Sequence, residues 1–374
     1  MIYADNAAQH PPFAEAVEAA AAAAVAYGNP SGVHGRSSAA ARLLFGARVR
    51  VAAALGAQPA QVIFTASGTE ADNLAVFSAA VRGKRRKLII FAAEHKAVLN
   101  AALSAERYLG SRVEYLPSLP DGTADLAALG RMLDGDTALV ALMHANNETG
   151  VLQPVSQAAQ MAHAAGALLH TDAVQTAGHV PLDVCSLGCD TLSISAHKFG
   201  GIPGAGALWC RSNLPVAPLI TGGRQERGVR AGTEALPAIC AMGTALELAA
   251  ARLDGSVKYV TELRDGLMRG LADIGGVVFP GAESARVPGI LCACFPGHDG
   301  ERTALLLDRA GICVSSGAAC TTGDPGASHV LAAMGVPAEL ARCAVRFSLG
   351  EGNTAAETET IAETVRKIMK TDEE

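Results

Sequence analysis

Three short stretches of this 374-residue chain pair reactive side chains with positions at the ends of apolar runs. Leu192-Ser193-Ile194-Ser195 leads into Ala196-His197-Lys198 and then Phe199-Gly200-Gly201. A lysine between an apolar strand and glycines is a candidate for partial desolvation, which lowers the pKa of an amine and makes it nucleophilic toward an aldehyde. Upstream, Leu168-Leu169-His170 ends in Thr171-Asp172-Ala173-Val174-Gln175, placing a carboxylate at a strand terminus. Earlier still, residues 61–65 run into Ser67-Gly68-Thr69-Glu70 ahead of a helical pattern from Ala71. Small residues and free amides at a helix start make a cup for an anion such as phosphate. Singly, each feature has a plainer reading: a helix-capping serine or threonine, a capping aspartate, a lysine in a loop.

Taken together the three are more specific, because pyridoxal 5′-phosphate needs a phosphate cup, an amine for its aldehyde and an acid for its ring nitrogen. The acid has a defined task. A carboxylate keeps the ring nitrogen protonated, so that the ring accepts electron density from a substrate carbanion, and Asp172 is the candidate. A dinucleotide site at Gly200-Gly201-Ile202-Pro203-Gly204-Ala205-Gly206 is disfavoured, since a strand-like run rather than a helix follows the glycines.

The elements that must hold these groups are legible as a rhythm. Apolar runs at 62–64, 88–91, 113–116, 138–143, 167–171, 191–195 and 205–210 alternate with Ala-rich helical stretches. This predicts an α/β domain with a mostly parallel, mixed sheet between helices and a ligand site at the carboxyl ends of its strands. Beyond residue 250 the pattern changes to helical stretches at 256–274 and 354–370 around short strands near 290–295 and 344–348, a smaller α+β domain. The expected division is 11–250 for the large domain, with 1–10 and 251–374 forming the small one.

Composition sets limits. With 30 basic and 36 acidic residues, a net charge of −6, there is no general pull toward nucleic acid or an anionic membrane. The run Lys84-Arg85-Arg86-Lys87 reads as a solvated loop. The apolar run from Ala19 to Tyr27 is short against the ~20 residues of a membrane span, so a cytoplasmic protein is expected. Nine cysteines without a CxxC pair suit a reducing compartment, and no metal site is expected. Cys185, Cys189, Cys210, Cys240, Cys292, Cys294, Cys313 and Cys343 lie in or beside apolar stretches and read as small core hydrophobes. Cys320 differs: the segment after it, Thr321-Thr322-Gly323-Asp324-Pro325-Gly326-Ala327-Ser328, has the composition of a loop.

From end to end the chain resembles the NifS/IscS-type cysteine desulfurases of the fold-type I pyridoxal-phosphate enzymes. The resemblance is carried by Tyr3-Ala4-Asp5-Asn6-Ala7-Ala8, Gly28-Asn29-Pro30-Ser31-Gly32-Val33-His34, Thr65-Ala66-Ser67-Gly68-Thr69-Glu70-Ala71-Asp72-Asn73 and Glu94-His95-Lys96. It continues in Asn146-Asn147-Glu148-Thr149-Gly150, His170-Thr171-Asp172-Ala173-Val174-Gln175, Ser195-Ala196-His197-Lys198, Arg230-Ala231-Gly232-Thr233, Ser316-Gly317-Ala318-Ala319-Cys320 and Arg346-Phe347-Ser348.

The resemblance implies that Lys198 tethers the cofactor and later moves the α-proton, and that His95 stacks on the ring and moves protons. It implies Asp172 at the ring nitrogen, Gln175 and Asn147 near the phenolic oxygen, and Gly68, Thr69, Ser195 and His197 at the phosphate. Thr233 is expected to reach across from a second subunit of a homodimer, and Asn29 and Arg346 to bind the carboxylate of L-cysteine. Cys320 is the expected persulfide carrier, handing sulfur to an acceptor or iron–sulfur scaffold protein and leaving alanine. Departures from the family pattern are Gln9, Gly201-Ile202-Pro203-Gly204 after the lysine, and Ala318. Another pyridoxal-phosphate reaction, such as transamination or selenocysteine cleavage, and an assembly subunit retaining the fold, are the competing functions; transamination needs no Cys320.

Overall fold

In the computed structural model, which describes residues 1–317 and 328–371, the alternating apolar runs form one seven-stranded sheet. Its strands are β2 (Val62–Thr65), β3 (Lys87–Phe91), β4 (Arg112–Leu116), β5 (Thr137–Ala141), β6 (Leu168–Asp172), β7 (Thr191–Ser195) and β8 (Gly206–Cys210), following the short β1 (Ile2–Tyr3). The order is β2-β8-β7-β6-β5-β3-β4, with β8 antiparallel to both neighbours and the other pairs parallel. All residues of β2, β3, β7 and β8 are buried, as strands covered on both faces are, including the three hydroxyl residues of β7.

Helices α1 (Ala14–Val25) and α2 (Gly35–Ala54) precede β2, α3 (Gly68–Val81) connects β2 to β3, and α4 (Lys96–Leu109) connects β3 to β4. Alanines dominate their buried faces and let helices approach one another and the sheet closely. A smaller antiparallel sheet holds β9 (Ile290–Cys294), β11 (Ser315–Ser316) and β12 (Ala344–Ser348) in the order β11-β12-β9, while β1 pairs with β10 (Ile312–Cys313). Its own core packs Leu263, Leu267, Phe295, Phe347 and Ile361 together with Ala4 from the N-terminal segment.

Where the sequence reading expected a helix over 256–274, the structure has one helix of 36 residues, Leu236–Leu271. Its first half buries Ile239, Met242 and Leu246 in the large core, and its last part buries Leu263, Leu267 and Leu271 in the small one. By length and composition this helix is apolar enough to cross a membrane, yet its apolar face is divided between two protein cores. The basic run is only partly solvated: Lys87 opens β3 at 3% exposure, with Nζ 2.6 Å from Asp134 Oδ2 and bonded to the Met132 carbonyl. Of the cysteines read as core hydrophobes, Cys185 is exposed and Cys313 half-buried, while the other six are buried.

Candidate active site

The sheet brings its chemistry to one rim. A chamber of about 280 Å³ opens beyond the carboxyl ends of β2, β6 and β7 and is lined by Gly68, Thr69, His95, Asn147, Asp172, Gln175, Ser195, His197, Lys198 and Arg346. Ten of the expected site residues therefore share one cavity, although they come from separate segments of the chain.

The start of α3 forms one wall. Ser67 caps the helix, its Oγ accepting the Glu70 N–H at 3.1 Å, and the amides of Gly68 and Thr69 belong to the first turn, where no intrahelical acceptor exists. Glycine at 68 is required by close approach. A Cβ there would lie 2.7 Å from Val174 Cγ2 and 3.2 Å from Ser195 Cβ. Gly206 on β8 makes room from behind, because a Cβ at that position would come within 2.3 Å of the Ser67 carbonyl carbon. The result is a cradle of backbone donors at a helix N-terminus beside the Ser195 hydroxyl and the His197 ring, which fits a phosphate group.

Asp172, the last residue of β6, is buried, and its Oδ1 accepts the Val174 N–H at 2.8 Å. Burial first, then the charge of Asp72, pushes its carboxyl up to about 7. A cationic group placed against it would draw it back to the ionised form. His95 is the N-cap of α4, and its Nδ1 accepts the Ala97 N–H at 3.1 Å. That acceptor role leaves the proton of the neutral ring on Nε2, and burial lowers the ring's pKa, so the neutral form persists.

Lys198 follows β7 on a single 3-10 turn, and its Nζ donates to the carbonyls of Ala7 at 2.7 Å and Ala8 at 2.8 Å. Gln175 Nε2 donates to the same Ala7 carbonyl at 3.0 Å. The Lys198 carbonyl in turn is 2.7 Å from Nε2 of the half-buried His179, which fixes the turn that carries the amine. Across the chamber Arg346 on β12 is 6% exposed; its Nη1 donates to the Asn147 carbonyl at 2.9 Å and its Nη2 to Asp5 Oδ1 at 2.9 Å and Ser315 Oγ at 3.0 Å. Its Nε is buried with no partner among the described residues, and a guanidinium bordering the chamber is matched to a carboxylate through paired hydrogen bonds. The donor set thus fits pyridoxal phosphate with an amino acid beside it: phosphate cradle, ring acid, ring-face histidine, amine and guanidinium.

The family model described as aminotransferase class-V matches residues 2–361. The chain belongs to the class-V aminotransferase family. A cysteine desulfurase of Cereibacter sphaeroides is 46% identical over 92% of this chain and 89% of its own length. The solved structure of a NifS-like protein superposes with a TM-score of 0.92 at 34% identity, covering 99% of both chains. The structure of SspA in complex with cysteine superposes with a TM-score of 0.83 at 28% identity, covering 95% of this chain and all of the other. Enzymes of this family depend on pyridoxal phosphate, and the cofactor of this chain is the same.

Three expected site residues do not line the chamber. Asn29 is exposed, and its Oδ1 turns back onto its own loop to accept the Ser31 N–H at 2.9 Å. Thr233 is exposed in a segment held by two ion pairs, Arg48–Glu226 and Arg230–Glu70. Cys320 lies outside the described residues. Conversely, the chamber includes Ser67, read in the sequence only as part of the turn or a helix cap, and residues to which sequence reasoning gave no role: Ala7, Ala8, Asp72, Met143, Val174 and Ser315. Asp72 sat inside a quoted motif, but a lone aspartate in a helical run looks like surface. Ala7 and Ala8 act through carbonyls, which residue type does not signal.

Proposed function

We propose that this chain is a pyridoxal-phosphate-dependent cysteine desulfurase that converts L-cysteine to L-alanine with a persulfide on Cys320, supplying sulfur for iron–sulfur cluster assembly or other thio-cofactors. The observation that carries this reading is the meeting of Lys198, Asp172 and His95 in one chamber with the amide-lined start of α3 and the Arg346 guanidinium.

When bound, the cofactor supplies an aldehyde for the substrate amine and a protonated ring that accepts electron density from the substrate α-carbon. Gly68, Thr69, Ser195 and His197 hold the phosphate. Asp172 would hold the proton on the ring nitrogen, Gln175 and Asn147 would hydrogen-bond the phenolic oxygen or its neighbourhood, and His95, with its proton on Nε2, would stack on the ring and move protons. Released from its Ala7 and Ala8 acceptors, the neutral Lys198 amine would take the substrate's α-proton on its lone pair. Arg346 binds the substrate carboxylate, its planar fork held at the right tilt by Asp5, Ser315 and the Asn147 carbonyl. The Cys320 thiolate would then attack the substrate sulfur: an S–S bond forms, the C–S bond breaks, and its electron pair stays with the three-carbon fragment, which takes a proton at the β-carbon, regains the α-proton from Lys198 and leaves as alanine.

A homodimer completes the reading, with Thr233 of a second copy at the phosphate. Phe45 and Val49, one turn apart on α2 and 60% and 40% exposed, support an apolar contact between copies. The proposed division is a large domain of 11–250 and a small one of 1–10 with 251–374, in a cytoplasmic enzyme whose acceptor is another protein. The test is to incubate the purified protein with cysteine while recording its visible spectrum and the mass of the Cys320 peptide. A yellow protein that gains one sulfur on that peptide supports the proposal. Cys320→Ser should keep the absorbance and bind cysteine without forming persulfide; full sulfide release by that variant without added thiol refutes the role.

A further inference from the structure

Asp72 takes no part in the scheme above. It lies one turn into α3, the helix whose start cradles the phosphate, and it is 1% exposed while still bordering the chamber. Its Oδ1 accepts a short hydrogen bond from Ser193 Oγ on β7 and lies 3.2 Å from Nε2 of His170 on β6. His170 Nδ1 is in turn 2.9 Å from Thr191 Oγ1. With its Nε2–H donated to Asp72, His170 receives the Thr191 hydroxyl on the other nitrogen, and Asp72 Oδ1 is filled twice as an acceptor. A carboxyl oxygen of Asp72, a carboxyl oxygen of Asp172 and a ring nitrogen of His95 all lie within 4.8 Å of one another. Two carboxyls so close and so buried do not ionise independently.

Resting on the chamber being the pyridoxal-phosphate site, we propose that Asp72 is a positioning residue that competes with Asp172 for the single negative charge the two carboxyls share. Without a cation in the chamber that charge is favoured on Asp72, whose Oδ1 accepts from Ser193 and His170; a protonated ring nitrogen against Asp172 would draw the charge there and leave the proton on Asp72. Burial supports such sharing, since it pushes both carboxyls up to about 7. The other groups facing the pair are Glu94 and His95 from the turn between β3 and α4, His170 on β6, and His197 and Lys198 at the end of β7. Burial moves both His170 and His197 down to about 4, keeps His95 low and drives Glu94 well up. Replacing Asp72 leaves all of these in place.

The test uses holoenzyme equilibrated between about pH 5.5 and about pH 8.5, with released cofactor read in the ultrafiltrate and folding followed by circular dichroism. Asp72→Asn preserves the acceptor for Ser193 and His170 and removes only the ionisable group. Relieved of a neighbouring negative charge, Asp172 ionises more readily, so the pH of half-release moves down by about one unit in this variant. Ser193→Ala removes the hydroxyl that favours a charged Asp72, so it moves half-release in the same direction by a smaller amount. Half-release at the wild-type pH or above it in either variant overturns the proposal, as does a folded Asp72→Asn protein that keeps no cofactor at any pH. Should Asp72→Asn not fold, the Ser193→Ala shift decides alone. A wild-type protein that holds no pyridoxal phosphate at any pH removes the cofactor reading itself, a result distinct from wild-type retention with unshifted variants.

Discussion

The phosphate cradle can be tested by adding a single methyl group. In Gly68→Ala the new Cβ meets Val174 Cγ2 at 2.7 Å and Ser195 Cβ at 3.2 Å, and the first of these is closer than real side chains pack. Valine cannot swing its methyl away cheaply, because branching at Cβ restricts χ1, and Ser195 sits buried at the end of β7. Overpacking of this kind costs about 1–3 kcal/mol, distributed between native stability and the position of the Gly68 amide. A shift of that amide loosens the grip on the phosphate, so pyridoxal-phosphate affinity falls roughly 10- to 100-fold, equivalent to about 1.4–2.8 kcal/mol. The assay is a double-mutant cycle in which urea unfolding and cofactor titration are run on wild type, Gly68→Ala, Val174→Ala and the double variant. Removing the Val174 methyls opens space for the alanine, so the double variant should recover about 1 kcal/mol or more relative to the sum of the single changes. If Gly68→Ala binds cofactor and unfolds like wild type, or if the two changes are simply additive, the steric argument for the cradle is wrong.

Three further outcomes follow from the contacts around the site. Arg346→Lys replaces a planar fork held on two sides by a point charge, and the KM for cysteine should rise about 10-fold or more with cofactor absorbance retained; an unchanged KM by steady-state kinetics contradicts carboxylate binding there. Glu226→Gln removes the charge that pairs with Arg48 at 2.6 Å and receives the Phe64 N–H at 3.0 Å, leaving a buried guanidinium uncompensated, so urea unfolding should register a loss of about 3–5 kcal/mol. Glu148 is pushed up to about 7, mainly by burial, and accepts the Ser328 hydroxyl at 2.5 Å. Because its folded pKa exceeds the unfolded value, its contribution is full below about 4.5 and is lost as pH rises toward about 7. The stability difference between wild type and Glu148→Gln should therefore decline over that interval, and a pH-independent difference between the two denaturation curves refutes it.

Much of the fold is written locally. Every expected strand of the large sheet appears within a residue or two of its place, because runs such as 88–91, continuously apolar, and 191–195, alternating hydroxyl and aliphatic, are β-rich and bounded by turn chemistry. The small-residue turn at 67–69 was legible only in combination with Lys198 and Asp172, since by itself a serine or threonine ahead of a helix reads as a plain N-cap. The break expected near residue 250 was not found in the helix itself. Residues 236–271 keep one helical course because their apolar face changes partner from the large core to the small one without interruption, and periodicity carries no label saying which core a face will meet. Lys87 likewise looked like solvent in a basic run, yet the start of β3 turns it inward onto Asp134 and the Met132 carbonyl.

The sequence by itself determined the kinds of groups available and the strands that carry them: an amine at 198, an acid at 172 and a histidine at 95 at or after strand ends, and a guanidinium at 346 within a strand. Only the tertiary structure decided their company. Two alanine carbonyls from the N-terminal segment hold the Lys198 amine, Asp5 and Ser315 orient Arg346, and Asp72 reaches a carboxyl on a strand far along the chain. The physical reason is that charge, desolvation and hydrogen bonding act over a few ångströms of space, and neighbours at that range come from whichever distant segments the sheet order and the packing of two cores bring together.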